Sequence, residues 1–424
     1  MDKLIDDQFA VLVGLDWADQ KHDICWLEPE SGKTGRHQLE HTPEAIVTWL
    51  NDWRTRYPGR QIALALELTK GALINALLGY DFLVLFPLNP ASVKTYRTTF
   101  HPSGAKDDPT DAQLILDMLC KHRDQFRPWT PDDPLTRKLA MFCEHRRKTV
   151  DECTRLTLQI TAHLKGYYPQ ALDWLDRLNT NLACGFLQKW PTLAAFQKAS
   201  PKSVRAFYYA SNGRSNPNLE VMLEQRAAAR ELTRDTAIID ALSLMVLTLA
   251  GQVRVLLAAI RRYDAEIESL FDAHPDAPIF AALPGAGKNL APRLLSAFGS
   301  NRDRHESAEA VQKYVGIAPV TERSGKSTWI HWRWHCPKYV RQAFHEFAHC
   351  SIRYSPWARA YYDGQIQRGK KHHAAIRALA FKWIRIIYRC WKTRALYDEN
   401  SYLQALAKSG SPLWNKLQSK PAES

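Results

Sequence analysis

Apolar residues fill positions 9–16 (FAVLVGLD) without a break until Asp16, the pattern of a strand buried on both faces. Two further strand-like runs follow at His22–Leu27 and Gly35–Leu39, separated by turn residues at Pro29–Gly32. Thr42-Pro43-Glu44 reads as a helix start, and the apolar spacing carries that helix through Trp53. Gln61–Leu68 predicts another apolar strand, interrupted by Glu67, then a helix from Thr69 to Leu78 and a strand at Phe82–Leu88. A helix starts at Asp108-Pro109, ahead of the run Leu114, Ile115, Leu116, Met118 and Leu119.

Three strands, helix, strand, helix, strand, helix is the order of a ribonuclease-H-like α/β fold, in which an antiparallel meander leads into parallel strands. From Asp132 to Ala273 the pattern turns helical. Ile239, Leu242, Val246, Leu249, Val253, Leu256, Ile260, Tyr263, Ile267 and Leu270 alternate spacings of three and four, a coiled-coil seam that suits an intrachain hairpin and an oligomerisation arm equally. A shorter stripe from Leu135 to Ile160 precedes it, and Ser211–Asn218 reads as a loop. His373–Thr393 predicts a helix with an apolar stripe (Ile376, Leu379, Trp383, Ile387) and a basic one (Arg377, Arg385, Arg389, Lys392). The tail after Ser409 has no periodicity and is expected to fray.

The chain has 424 residues, 45% of them hydrophobic, enough for two to four domains with real cores. No uninterrupted apolar run reaches the roughly 20 residues of a membrane span, and MDKLIDDQ lacks a signal-peptide core, so a cytosolic protein without a membrane partner is expected. The eight cysteines are scattered with no CxxC pair and read as reduced thiols. The net charge of +13 lies wholly in the last quarter, where Val311 to the end carries 20 Lys and Arg against six Asp and Glu. A polyanionic partner follows, most simply nucleic acid with an anionic membrane surface as the alternative, and 14 tryptophans among the arginines suit bases and phosphates at least as well.

Asp16 and Glu67 fall at the C-terminal ends of predicted strands, which border the ligand crevice of an open α/β sheet. A charge in an apolar strand is costly unless paired or metal-bound. The stretch Gly104-Ala105-Lys106-Asp107-Asp108-Pro109-Thr110-Asp111 adds carboxylates at a helix start, with Asp108 and Asp111 on one face. Alone it is an ordinary acidic cap, but with Asp16 and Glu67 it makes four oxygen ligands suited to magnesium or manganese.

Further along, the turn Pro284-Gly285-Ala286-Gly287-Lys288 resembles a helix-hairpin-helix element whose N–H groups accept a DNA phosphate, with a plain helix–helix turn as the alternative. It is not a phosphate-binding loop of the G-x-x-x-x-G-K-[ST] type, since Ala282 and Asn289 break that spacing. His345-Glu346-Phe347-Ala348-His349 matches H-E-x-x-H literally, yet no third ligand follows at a suitable distance. Ser324, in TERSGKS, reads by its residues alone as a loop serine.

The blocks GLDWA, ALELT and SGAKDDPTDA, together with GIAPVTERSGK, are similar to the DEDD-type insertion-sequence transposases, RNA-guided recombinases with a RuvC-like first domain. The resemblance covers roughly 8–130 and 277–400. It implies that Asp16, Glu67, Asp108 and Asp111 are the catalytic acids holding the metal, and that Ser324 attacks DNA to form a phosphoserine link. Arg323, Lys326 and Arg333 would counter phosphate charge. Expected nucleic-acid contacts add Lys106, Gly285, Gly287, Lys288, Arg377, Arg385 and Arg389. The family implies DNA and a guide RNA as partners, a dimer or tetramer, and a place on the nucleoid in the bacterial cytosol. It divides the chain into a RuvC-like domain (1–131), a helical linker and oligomerisation region (132–275), a serine-bearing domain (276–408) and the tail (409–424). In this family the residue before the third acid is often Asn, Thr or Ser, and here it is Asp107. The rival readings are a RuvC-type junction nuclease that hydrolyses with water and a degenerate nucleic-acid scaffold.

Overall fold

The computed structural model describes residues 8–67, 71–100, 108–211, 219–325 and 327–418, with the side chains of 100, 108 and 109 excluded. The chain divides into two compact units, 1–131 and 132–424.

In the first unit, β1 (Phe9–Asp16), β2 (Lys21–Leu27) and β3 (Thr34–Glu40) form an antiparallel meander. After α1 (Pro43–Arg56), β4 (Gln61–Leu66) pairs parallel to β1. After α2 (Ala72–Leu77), β5 (Leu83–Pro87) pairs parallel to β4, giving the order β3-β2-β1-β4-β5. Helices α3 (Pro90–Phe100) and α4 (Asp108–His122) complete the unit. The sequence pattern did not predict α3, whose threonines and aromatics are weak helix formers. Thr42 caps α1 by accepting from Ala45 N.

Strand alternation sorts the sheet into two cores. Val11, Val13 and Leu15 of β1, with Ile62, Leu64 and Leu66 of β4, pack with Ile46, Leu50, Leu73 and Ile74 of α1 and α2. Leu12 of β1 and Ala63 and Ala65 of β4 face Ala112, Ile115, Leu116 and Leu119 of α4. The residues beneath α4 are small, so the helix lies close to the strands. At Gly14 the approach is closest: a Cβ there would strike Ala112 O and Leu116 N and sit 2.8 Å from Leu116 Cα.

The second unit is mostly helical. It opens with α5 (Pro134–Tyr167), continues through α6 (Gln170–Trp174), α7 (Asn181–Lys189), α8 (Leu193–Lys198), α9 (Pro201–Ala210) and α10 (Leu219–Ala228), and reaches α11 (Thr236–Asp272). The expected loop at 211–218 falls, beyond Ser211, outside the described residues. The predicted seam packs within the chain. Val246, Leu249 and Val253 are buried with Leu156, Ile160 and Leu187 of α5 and α7, while Ile267 and Leu270 join the core of the remaining helices.

One stretch of α11 has a mean hydropathy of 1.9 and meets the length and composition of a membrane span, against the expectation of none. Only 22% of that stretch is buried within the chain, and length and composition by themselves are weak evidence for a bilayer. Leu244, Met245 and Val255 on this helix are exposed.

Beyond α12 (Ala277–Ala281), α13 (Gly287–Phe298) and α14 (Ala308–Tyr314) comes a two-stranded hairpin, β6 (Val320–Ser324) and β7 (Ser327–His331). Helices α15 (Lys338–Tyr354), α16 (Pro356–Gln367), α17 (His372–Thr393), α18 (Glu399–Lys408) and α19 (Pro412–Gln418) close the chain. The tail is thus helical as far as 418. Leu413 is buried in the main core of this unit, a single anchor that periodicity over seven residues does not reveal. The apolar stripe of α17 is buried as predicted, with Leu379, Trp383 and Ile387 wholly enclosed.

Candidate active site

Asp16 ends β1 and is half-buried. The parallel register sets Leu15 against Leu66, so the next residues, Asp16 and Glu67, stand side by side where the two strands end. Neighbouring strands lie about 4.8 Å apart. By alternation, Asp16 shares a face with Leu12 and Gly14, the face that α4 covers. Continuing β4 by one residue puts Glu67, also half-buried, on the same face as Ala63 and Ala65.

Asp111 lies in the first turn of α4, one residue before Ala112, the residue that meets Gly14. It is only 3% exposed. Its Oδ2 accepts an ion pair from Arg97 Nη2 of α3 at 2.7 Å, while Oδ1 is buried without a hydrogen-bond partner among the described residues. A buried carboxylate oxygen left unpaired carries a desolvation cost that a cation would relieve. Asp108 starts α4, but its side chain, like Lys106 and Asp107, lies outside the described residues. Among the described residues no group of three or more His, Cys, Asp and Glu is disposed to hold a metal ion.

Sequence reasoning missed two parts of this site. Arg97 has no local signal, since its partner is fourteen residues on and reached only by the packing of α3 on α4. Gly14 was legible in principle as the lone glycine in an apolar strand, which marks a close backbone approach. The loop after Asp16 is held by His22. Ala18 N donates to His22 Nδ1 at 3.3 Å, and His22 Nε2 meets His41 Nδ1 at 2.9 Å. Burial, followed by the His41 charge, pushes the His22 imidazole down to about 4.

In the second unit, Ser324 is the last residue of β6, exposed and paired across the hairpin with Ser327. Gly325, at φ 56°, supplies the left-handed residue that a two-residue hairpin turn requires. Lys326 lies outside the described residues. Arg323 is exposed, and Arg333 Nε donates to Ala318 O at 3.3 Å.

The glycine turn at 284–288 joins α12 to α13. Gly285 has φ 81°, and a Cβ there would sit 2.9 Å from Tyr354 Cδ2 and 3.0 Å from Cys350 C, so helix packing alone demands this glycine. Gly287 has open space around it, and Lys288 pairs with Glu268. Of the other expected contacts, Arg385 and Arg389 are exposed, whereas Arg377 is half-buried. Glu346 of the H-E-x-x-H match pairs with Arg293 and lies 3.6 Å from Arg147, which gives it a structural role between α13, α5 and α15.

Two family models match the chain. One, described as a transposase, covers residues 13–169; the other, described as a transposase of the IS116/IS110/IS902 family, covers 277–363. The chain belongs to this transposase family. It is similar over its length to the "Mini-circle putative transposase for IS117" of Streptomyces coelicolor, at 26% identity over 96% of this chain and 100% of the relative. An IS900 insertion-element 42 kDa protein of Mycobacterium paratuberculosis is 25% identical over 91% of this chain and 97% of its own. As a transposase, the protein is an enzyme that acts on DNA. The first match contains Asp16, Glu67, Asp108 and Asp111, and the second contains Ser324.

Proposed function

We propose that this transposase cleaves and rejoins DNA through a phosphoserine intermediate on Ser324, assisted by an acidic site of RuvC-like, ribonuclease-H-like type. What supports the reading is the strand register, which by alternation sets Asp16 and Glu67 at adjacent strand ends on the side that α4 covers, together with Asp111 at the start of α4, whose Oδ1 is buried without a hydrogen-bond partner among the described residues. Asp16, Glu67, Asp108 and Asp111 are the residues that would hold magnesium or manganese, a hard cation matched to carboxylate oxygens. When bound, such an ion neutralises charge on a phosphodiester oxygen.

Ser324 Oγ attacks phosphorus as its proton passes to solvent water. An Oγ–P bond forms, one P–O bond to deoxyribose breaks, and the departing oxygen takes up a proton. Arg323 and Lys326 flank the serine and counter the phosphate charge. Its exposed place at the hairpin tip supports this role, because an extended phosphodiester reaches it without a pocket opening. The partners under this reading are the element ends, target DNA and a guide RNA. A homo-oligomer is supported by the outward apolar residues Leu244, Met245 and Val255 of α11.

Wild-type protein incubated with DNA and magnesium should yield a denaturation-resistant adduct that Ser324→Ala cannot form and Ser327→Ala still forms. Cleavage retained by Ser324→Ala would replace the reading with a hydrolytic nuclease. Mixing Ser324→Ala with Asp16→Asn restores activity if protomers share the site, and RNA copurifying with the protein is the check on guidance.

A further inference from the structure

Trp332 follows β7 directly, at the base of the hairpin that carries Ser324, and it is packed between cations. The Arg377 guanidinium carbon lies 3.5 Å from the indole centroid and that of Arg341 lies 4.8 Å from it. The His345 ring is 6.0 Å away. Trp332 Nε1, His345 Nε2 and Arg377 Nε are all buried without a hydrogen-bond partner among the described residues. Arg341 gives one nitrogen to Arg333 O at 3.2 Å.

The cluster shows no counter-charge among the described residues. Glu346, next to His345 in the chain, is engaged by Arg293 and Arg147. Burial, then Arg377, Arg341 and His373, push the His345 imidazole down to about 4, so the ring is neutral at pH 7. Burial, then Arg341, likewise pushes Arg377 down. Guanidinium stacking on the indole satisfies ring faces but not the buried N–H groups, and it leaves two like charges together. A site built this way lacks an anion.

We infer that Trp332, Arg341, His345 and Arg377 form a pocket for a backbone phosphate of the bound nucleic acid. A phosphodiester brings the negative charge and the paired acceptor oxygens that a guanidinium fork fits. The inference rests on the reading that the chain acts on nucleic acid, and it locates one grip beside the strand that bears the serine. It also gives His345 of the H-E-x-x-H match a task, as a ring N–H donor to the phosphate.

The test uses the full-length protein with a DNA duplex and, separately, a single-stranded RNA, each titrated by fluorescence anisotropy across a series of salt concentrations. Losing one phosphate contact lowers the slope of log K against log salt by about 0.9 on duplex or about 0.7 on a single strand. Arg377→Gln and Arg341→Gln should each show that drop and a loss of affinity of about tenfold, a scale typical of charge-assisted hydrogen bonds. Arg377→Lys should keep the slope. Arg205→Gln, on α9 and paired with Glu220 of α10, should match wild type.

A drop on DNA alone assigns the pocket to DNA, and a drop on RNA alone assigns it to the guide. An unchanged slope on both, in variants with wild-type circular dichroism, overturns the pocket while leaving the DNA reading intact. If Arg377→Gln does not fold, Arg341→Gln decides alone. Wild-type protein that binds neither polymer would overturn both.

Discussion

The acids and the serine are held in opposite ways. Asp16 and Glu67 leave adjacent parallel strands, and Asp111 comes from a helix pressed so closely on β1 that residue 14 has no room for a Cβ. Ser324 sits on a hairpin whose described residues are all exposed. Carboxylates that share a charge must be fixed by their surroundings, because each repels the others and gains by moving away. Under the proposed reaction, a serine that attacks a long polymer gains from presentation. The core around the acids sets their geometry, whereas the hairpin sets only the reach of the serine.

The largest expected effect comes from breaking the Arg97–Asp111 pair. Arg97→Gln leaves a carboxylate buried beside an uncharged partner and should cost about 3–5 kcal/mol, read as a fall in the denaturation midpoint of the first unit. Gly14→Ala should cost about 3 kcal/mol by the same measurement, since backbone rather than a flexible side chain stands in the way. A variant as stable as wild type would show that α4 can lift without penalty.

Acid comes next, acting on the first unit through His22. His22 has a folded pKa below its ordinary 6.5, so its neutral form is the one that folding favours. That contribution is complete above pH 6.5 and is lost as pH falls toward about 4, a loss of about 3 kcal/mol that His22→Gln should remove from the pH profile. Asp111→Asn should abolish DNA cleavage. Relief of repulsion among four acids predicts an unchanged or slightly more stable variant, but the Arg97 pair reverses the sign, and about 1 kcal/mol should be lost. The smallest change is Ser324→Ala, which should leave stability within about 0.5 kcal/mol while eliminating the covalent adduct. A large stability change there would mean that the hairpin tip is packed after all.

The strands of the first unit were legible because period and burial agree: residues 9–16 are apolar on both faces and lie at the centre of the sheet. Asp16 and Glu67 stood out as charges closing apolar runs. Arg97 did not, since its meaning depends on a helix that β-branched residues disguised. The hairpin around Ser324 also escaped, because VTERS and STWIH lack the alternation that one buried face imposes. Likewise the α11 periodicity announced a seam without saying what covers it, and α5 with α7 supplied the partner inside the chain.

A two-stranded ribbon without a hydrophobic face is at best marginally stable in water. In the free protein the amides of β6 and β7 should therefore exchange with solvent far faster than those of β1 and β4, and DNA should slow them. The entropy of ordering the ribbon then falls on the binding step, so that a DNA end lacking contacts along the strands would meet a serine not yet held in place. Selectivity for the correct end would in that case arise partly before any bond is broken, from the order that only a well-fitting strand imposes.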